Sequence, residues 1–228
     1  MTGTSALWLV GTILVYVAAR WLHARLRTPL LNPAVVTIVV VITLLQLTGT
    51  SYATYDQGAH VLSFWLGPAV VALGLPLALQ LATVRRNAVG ISIALGAGAL
   101  IGILVAVGVA TLLGAPPLVV RSLASRSATT SIAVAVAVQI GGIPAIAAVV
   151  SIVSGALGGG IGVALLRFAG VTSPLATGLA LGAAAHGFGT TRAADEGSLE
   201  GASAGMAMGV VGILTALLAP IVMAVFSR

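Results

Sequence analysis

From its first residues the chain alternates long apolar runs with short polar breaks. Apolar stretches cover positions 6–23, 34–48, 61–83, 89–113, 145–166 and 202–226, and another helix begins over 174–185. A helix that crosses a bilayer needs about 20 such residues, so the lengths predict membrane-spanning helices. The Val- and Ile-rich run 34–48 has the β-branched content of a buried strand, but a fifteen-residue apolar stretch between these flanks predicts a helix in lipid. The expected fold is all-α and polytopic, with about seven transmembrane helices in a single domain over 1–228. Gly67-Pro68, Gly74 and Pro76 interrupt the third run, and Asn32-Pro33 marks a helix start. The patch 51–58 carries Tyr52 and Tyr55 at an interfacial position, with Asp56 and His60 flanking a solvated outer loop. Spacings such as Gly98 to Gly102 let a neighbouring backbone approach closely.

The pattern changes at 121–130, which reads RSLASRSATT, leads into the apolar 132–140, and closes on the turn Gly141-Gly142-Ile143-Pro144. Charge then sets the topology. All ten basic residues are arginine, grouped at the ends of apolar runs. If 118–142 dips into the membrane and returns, seven of the ten (20, 25, 27, 85, 86, 167 and 228) are cytoplasmic. Arg192 then lies outside beside Asp195, Glu196 and Glu200. If that segment crosses instead, Arg167 and Arg228 fall outside. The first arrangement is the expectation: seven spans plus one re-entrant segment, N-terminus outside and C-terminus cytoplasmic. Breaks around Gly67-Pro68 and around 127–142 hint at corresponding places in two inverted halves.

Composition agrees with a bilayer as solvent. The chain of 228 residues is 59% hydrophobic and 6% charged, with a mean hydropathy of +1.19, against roughly a quarter charged in soluble domains. A formal charge of +6 raises nucleic acid as a partner, but the arginines are dispersed at run ends rather than gathered on one face. No nucleic-acid partner is expected. The absence of cysteine excludes disulfides, thiolate metal sites and a cysteine nucleophile. The first apolar run is followed, not preceded, by positive charge, which is the reverse of a secretory signal.

Two places put polar groups where lipid penalises them. In the first, Arg126 stands among Ser122, Ser127, Thr129 and Thr130, and an arginine at membrane depth costs about 2.5–3.5 kcal/mol. Either this segment faces a water-filled cavity, where the start of the following helix makes an anion site, or it is an extramembrane loop with Thr129 or Thr130 as an ordinary N-cap. In the second, GAAAHGFGTTR over 182–192, His186 is followed by Gly187 and Gly189, which loosen the helix. His186 either serves a carboxylate ligand or a proton, or simply bonds a carbonyl. No second His, Asp or Glu lies at i+3 or i+4 from it, so no metal is expected. No catalytic triad, Walker loop or dinucleotide fingerprint is present, so neither an enzyme nor a cofactor is expected. Glu196 is positioned to pair with Arg192.

The stretches SLASRSATTSI (122–132), QIGGIPA (139–145), GLALG (178–182), HGFGT (186–190) and EGA (200–202), with PLLNP (29–33) and LGPAV (66–70), resemble the LrgB/CidB family. The resemblance implies a bacterial inner-membrane protein related to antiholin-like regulators of murein hydrolase export and to the plastidic glycolate/glycerate translocator. It also implies a small LrgA/CidA-type membrane partner, and the Gly-rich faces suggest a homodimer. The family's polar core corresponds to Ser122, Arg126, Ser127, Thr129, Thr130, Gln139, Gly141, Gly142, His186, Gly189 and Thr190. The family usually reads Pro-Lys-Ser and Thr-Thr-Pro where this chain has Ser125-Arg126-Ser127 and Thr129-Thr130-Ser131. It usually carries a Glu and a Ser where Ala135 and Ala137 stand. Arg for Lys keeps the charge and supplies a planar donor fork suited to carboxylates. The expected function is transport of small monocarboxylates of the 2-hydroxy or 2-keto type. In that reading Arg126, Ser127, Thr129 and Thr130 hold the carboxylate, and His186 with Thr190 completes the pocket. The alternative is an antiholin-like regulator of murein hydrolase activity and lysis.

Overall fold

The computed structural model describes residues 3–26, 32–72, 74–79 and 81–226; Arg27, residues 29–31 and Arg228 lie outside them. Among the described residues every regular element is helical. The helices are α1 (Gly3–Leu26), α2 (Pro33–Thr48), α3 (Tyr52–Ala72), α4 (Gly74–Leu79), α5 (Leu81–Arg86), α6 (Ala88–Leu112), α7 (Pro117–Leu123), α8 (Thr130–Gln139), α9 (Pro144–Phe168), α10 (Pro174–Glu196) and α11 (Ser198–Phe226). Four of them, α1 from Ala6, α6, α9 and α11, are long and apolar enough to cross a membrane; α2 and α8 are shorter apolar helices. The chain is a polytopic helical membrane protein. Proline opens α2, α7, α9 and α10, where its fixed φ suits the first turn and its missing N–H leaves no gap. Asn32 caps α2 by accepting from Ala34 N at 3.0 Å.

Two compact units divide the chain at Leu73 and Gly74. In the first, α1 packs on α2 and α3, with Trp8 edge-on to Tyr55 at 6.0 Å and Thr12 Oγ1 3.4 Å from the Tyr55 hydroxyl. The patch 51–58 forms the first turns of α3 rather than a loop, and Asp56 and His60 both lie within that helix. The same helix runs through Gly67-Pro68 without ending, so the expected break is absent there.

The second unit is built on three long helices. Ile91, Leu95 and Ala99 of α6 cluster with Ala207 and Val211 of α11, and Ile103, Val107 and Ala110 with Ala219, Val222 and Met223. The two helices are therefore parallel. Helix α9 runs the other way. Its first turn adjoins Ser122, on the helix α7 that packs with Ala110 and Met223. Farther along, its Val163 packs with Leu181 and Ala204.

Between these helices lie two hairpins that enter from opposite ends. The first is α7 and α8. Ser122 Oγ accepts from Ile143 N at 2.7 Å and Ser125 Oγ donates to Ala133 O at 3.0 Å, so the chain turns back near 126–128. Gly141 takes φ +70° at the mouth, a conformation that suits glycine. A Cβ on Gly142 would stand 2.9 Å from Ser122 N. The segment 118–142 thus enters and leaves at the same end of α9, as the re-entrant reading requires.

The second hairpin is α10 itself. Its helix breaks at His186, with φ 37° and ψ −122°, and the two arms fold onto each other. A Cβ on Gly189 would strike Leu181 O, and Leu181 and Ala193 share one core cluster. Glu196 at the end of the returning arm pairs with Arg167 at 2.6 Å and with Arg192. The sequence reading put Arg167 and Arg192 on opposite faces by letting 174–196 cross; one carboxylate binds both, so the segment turns back. Arg167 and the Phe226 end of α11 consequently lie at opposite ends of the unit, not together as the charge count assumed. The counterpart of the 127–142 break is His186, and α6 with its hairpin and α9 with its hairpin form two inverted halves.

Glycine makes the close packing possible, and of the pair the spacing suggested only Gly102 takes part, against Ser127 Oγ. A Cβ on Gly98 would meet nothing within 4 Å. On Gly155, Gly158, Gly159 and Gly162 of α9 it would meet the second hairpin, and on Gly178 and Gly182 it would land on α11. Replacing Gly182 by Leu drives a side chain into the Ala204 backbone and is expected to destabilise by at least the usual overpacking cost of about 1–3 kcal/mol. Gly96→Ala, in open space inside α6, is expected to hold or slightly raise the melting temperature of the detergent-solubilised protein, since alanine is the better helix former.

Candidate functional site

The tips of the two hairpins meet about halfway along the long helices. Ser127 Oγ lies beside Gly102, 3.2 Å from where a Cβ would stand, and Gly102 is about 15 Å from the Leu112 end of α6 at 1.5 Å per residue. A Cβ on Gly155, near the middle of α9, would fall on the His186 ring. Half the hydrocarbon thickness is also about 15 Å, so both chain reversals lie near the bilayer midplane.

A helix interrupted there frees backbone groups that lipid will not satisfy. Helix α9 supplies partners. Ser151 Oγ donates to Ala128 O at 2.8 Å, and Ser154 Oγ donates to Arg126 O at 3.0 Å and to Ser151 O at 3.0 Å. His186 Nε2 lies 3.1 Å from Ser151 O and 3.4 Å from Ser151 Oγ. A carbonyl only accepts, and the Ser151 hydroxyl hydrogen is already directed at Ala128. Nε2 therefore carries the proton in the neutral ring, and Nδ1 is the acceptor. The carbonyl-bonding alternative for His186 is realised at Nε2, while Nδ1 has no hydrogen-bond partner among the described residues.

The residues singled out from the sequence fall into three groups. Arg126, Ser127, Thr129 and Thr130 lie at the first tip and His186, Gly189 and Thr190 at the second. Ser122, Gln139, Gly141 and Gly142 sit at the mouth of the first hairpin, beside Arg121. Ser122 adjoins the first turn of α9, about 12 Å from the level of Ser151 at 1.5 Å per residue. Gln139 and Gly141 are exposed and Ser122 is fully buried. Gly189 serves the contact between the arms of its hairpin, and Thr190 Oγ1 donates to His186 O at 2.8 Å. The side chains of Arg126, Ser127, Thr129 and Thr130 make no hydrogen bond or ion pair among the described residues. Thr129 is the N-cap of α8 by position, without a side-chain capping bond.

Ser151 and Ser154 were not singled out, although SIVSGALGGGIG over 151–162 repeats small residues at 151, 154, 155, 158, 159 and 162, one helix face. At the far mouth, Arg167, Thr172, Thr177, Glu196 and Glu200 help line a cavity of about 270 Å³. No group of three His, Asp or Glu that could hold a metal ion is present among the described residues.

The family model of the LrgB-like family matches residues 12–225. The chain is 34% identical over 209 residues to the uncharacterized protein YwbG of Bacillus subtilis (strain 168), covering 92% of this chain and 93% of that one. It is 32% identical over 194 residues to the antiholin-like protein LrgB of Bacillus cereus (strain B4264), covering 85% and 84%. The antiholin-like protein LrgB of Bacillus anthracis (strain CDC 684 / NRRL 3495) matches to the same extent. No solved structure matches.

The split between tip and mouth predicts different costs. Ser122→Ala removes a buried hydroxyl that both donates to Leu118 O and accepts from Ile143 N, and is expected to destabilise by about 1–3 kcal/mol. Gln139→Ala, on an exposed position, is expected to stay within about 0.5 kcal/mol. Thermal melting of the purified proteins distinguishes them.

Proposed function

Because the chain belongs to the LrgB-like family and builds two opposed hairpins around one polar centre, we propose that it carries small monocarboxylates across the membrane. The observation that supports this most is the set of uncommitted polar groups at the first tip. An arginine and three hydroxyls near the midplane make no bond to the described residues, and lipid cannot satisfy them. The starts of two ten-residue helical segments, α8 and the returning arm 187–196, lie at the same depth. Their free N–H groups and dipoles favour an anion. Broken helices meeting at the midplane are the usual carboxylate-binding arrangement of secondary transporters. Arg126 provides the charge, and Ser127, Thr129 and Thr130 provide donors. His186 contributes from the opposite tip.

In the membrane we assign the end bearing Arg85, Arg86, Arg167 and Arg192 to the cytoplasm by the positive-inside rule. The Phe226 end of α11 then faces out. The setting is a bacterial inner membrane, with a second copy or a small LrgA/CidA-type protein as partner.

The relatives in Bacillus cereus and Bacillus anthracis are antiholin-like proteins by name, which favours a second reading more directly than transport: an antiholin-like role, which the family resemblance extends to regulation of murein hydrolase activity and lysis. The two readings differ in what the central side chains are for. In proteoliposomes, with and without the small partner, labelled pyruvate, glycolate, glycerate and lactate are offered under pH and sodium gradients. Transport predicts saturable uptake that Arg126→Ala weakens about 10- to 100-fold, the weight of a charge-assisted hydrogen bond. No uptake under any gradient, together with a lysis phenotype that Arg126→Ala leaves intact, would establish the regulator instead.

A further inference from the structure

His186 is the only histidine of the second unit, and few charged groups surround it. Helix α6 carries no charged residue, α9 only Arg167 in its last turn, and α11 only Glu200 in its first. On α10 itself Arg192, Asp195 and Glu196 lie toward the mouth. The first hairpin contributes Arg126, with Arg121 back at its own mouth. The two ring nitrogens of His186 differ in freedom. Nε2 gives its hydrogen to the Ser151 main-chain carbonyl at 3.1 Å, and the ring is 4% exposed, wedged against Gly155. Nδ1 has no partner among the described residues. The side-chain atoms there that are both unpartnered and fully enclosed are His23 Nδ1 and Thr215 Oγ1. His186 Nδ1 therefore keeps some accessible surface, and the neutral ring offers a lone pair there.

We propose that His186 Nδ1 sets the specificity of the central site: as a fixed acceptor it prefers 2-hydroxy acids to 2-keto acids, and it admits a 2-keto acid only together with a proton. The inference rests on the reading that a monocarboxylate sits at Arg126. A 2-hydroxy acid brings an O–H next to its carboxylate, and that donor satisfies Nδ1 with no change of charge. A 2-keto acid presents only acceptor oxygens at both positions. Set against the Nδ1 lone pair, it leaves two acceptors opposed in a low-dielectric site, which is unfavourable. One proton taken from water onto Nδ1 makes the ring an imidazolium, in which both nitrogens donate. The keto or carboxylate oxygen then accepts from Nδ1, while Nε2 keeps its bond to the Ser151 carbonyl. The carboxylates of this unit all lie toward the mouth and Arg126 stays charged, so no other group at this depth takes the proton.

Lactate and pyruvate differ only at the 2-position. Their binding to the purified chain in detergent is measured by titration calorimetry at several pH values, in buffers of different ionisation enthalpy so that proton uptake is counted. At about pH 8 lactate is expected to bind about five- to ten-fold tighter than pyruvate, the weight of one neutral hydrogen bond. From about pH 7 to pH 8 pyruvate is expected to weaken about ten-fold, as uptake of one proton requires, and lactate to change by less than about two-fold. His186→Gln, whose amide either donates or accepts, is expected to bind both alike at every pH. If position 186, with its positive φ, does not tolerate glutamine, the wild-type pair of ligands decides alone. Equal affinities, a preference for pyruvate, one pH dependence shared by both, or a folded His186→Gln that keeps the discrimination overturns the proposal and leaves the carboxylate reading standing. Binding of neither ligand overturns both.

Discussion

Backbone polar groups in the middle of a bilayer have to be met by protein, because lipid offers them nothing. Both halves of the second unit turn their chain at that depth, and both turns are tolerated because α9 lies between them with two serines one turn apart. Ser151 and Ser154 bond the carbonyls of Ala128 and Arg126, and the backbone of α9 receives His186. The glycines of α9 have the same purpose in steric form, since only hydrogen at 155, 158, 159 and 162 lets the second hairpin lie close enough for the bond to His186 to form. Packing and hydrogen bonding are thus one constraint.

The same constraint explains the unusual backbone of His186, the single non-glycine residue with positive φ among the described residues. A residue held in a sparsely populated region persists when its surroundings over-determine it. Here the ring is fixed by Ser151, the carbonyl accepts from Thr190, and the arms are pinned by Gly189 against Leu181. The reversal therefore rests on several contacts at once.

Much of the architecture was legible in the sequence. Run lengths marked α1, α6, α9 and α11 as crossing helices, Asn32-Pro33 marked a helix start, and the polar 121–130 stretch betrayed the first hairpin. The second hairpin was hidden because its first arm, up to His186, reads as the start of a crossing helix. What marks the return is long-range contact: Glu196 pairs Arg167 with Arg192 and Gly189 lies against Leu181 O, and a contact 29 residues apart leaves no local pattern. For the site, Arg126 and His186 stood out because charge and titratable groups are rare in apolar helices. Gln139, Gly141 and Gly142 were grouped with them by sequence motif alone, though a hairpin carries its ends away from its tip. Ser151 was passed over because a lone hydroxyl in a helix usually bonds its own backbone.

The two hairpins differ at their bases. The first is held by a neutral bond between a buried serine and a main-chain amide, while the second is held by two arginines sharing one glutamate near the surface. Dissolved ions shield the second kind of contact and leave the first nearly untouched. The protein therefore has one base that feels the ionic strength of its surroundings and one that does not, a built-in inequality between the two sides of the membrane despite the inverted likeness of its halves.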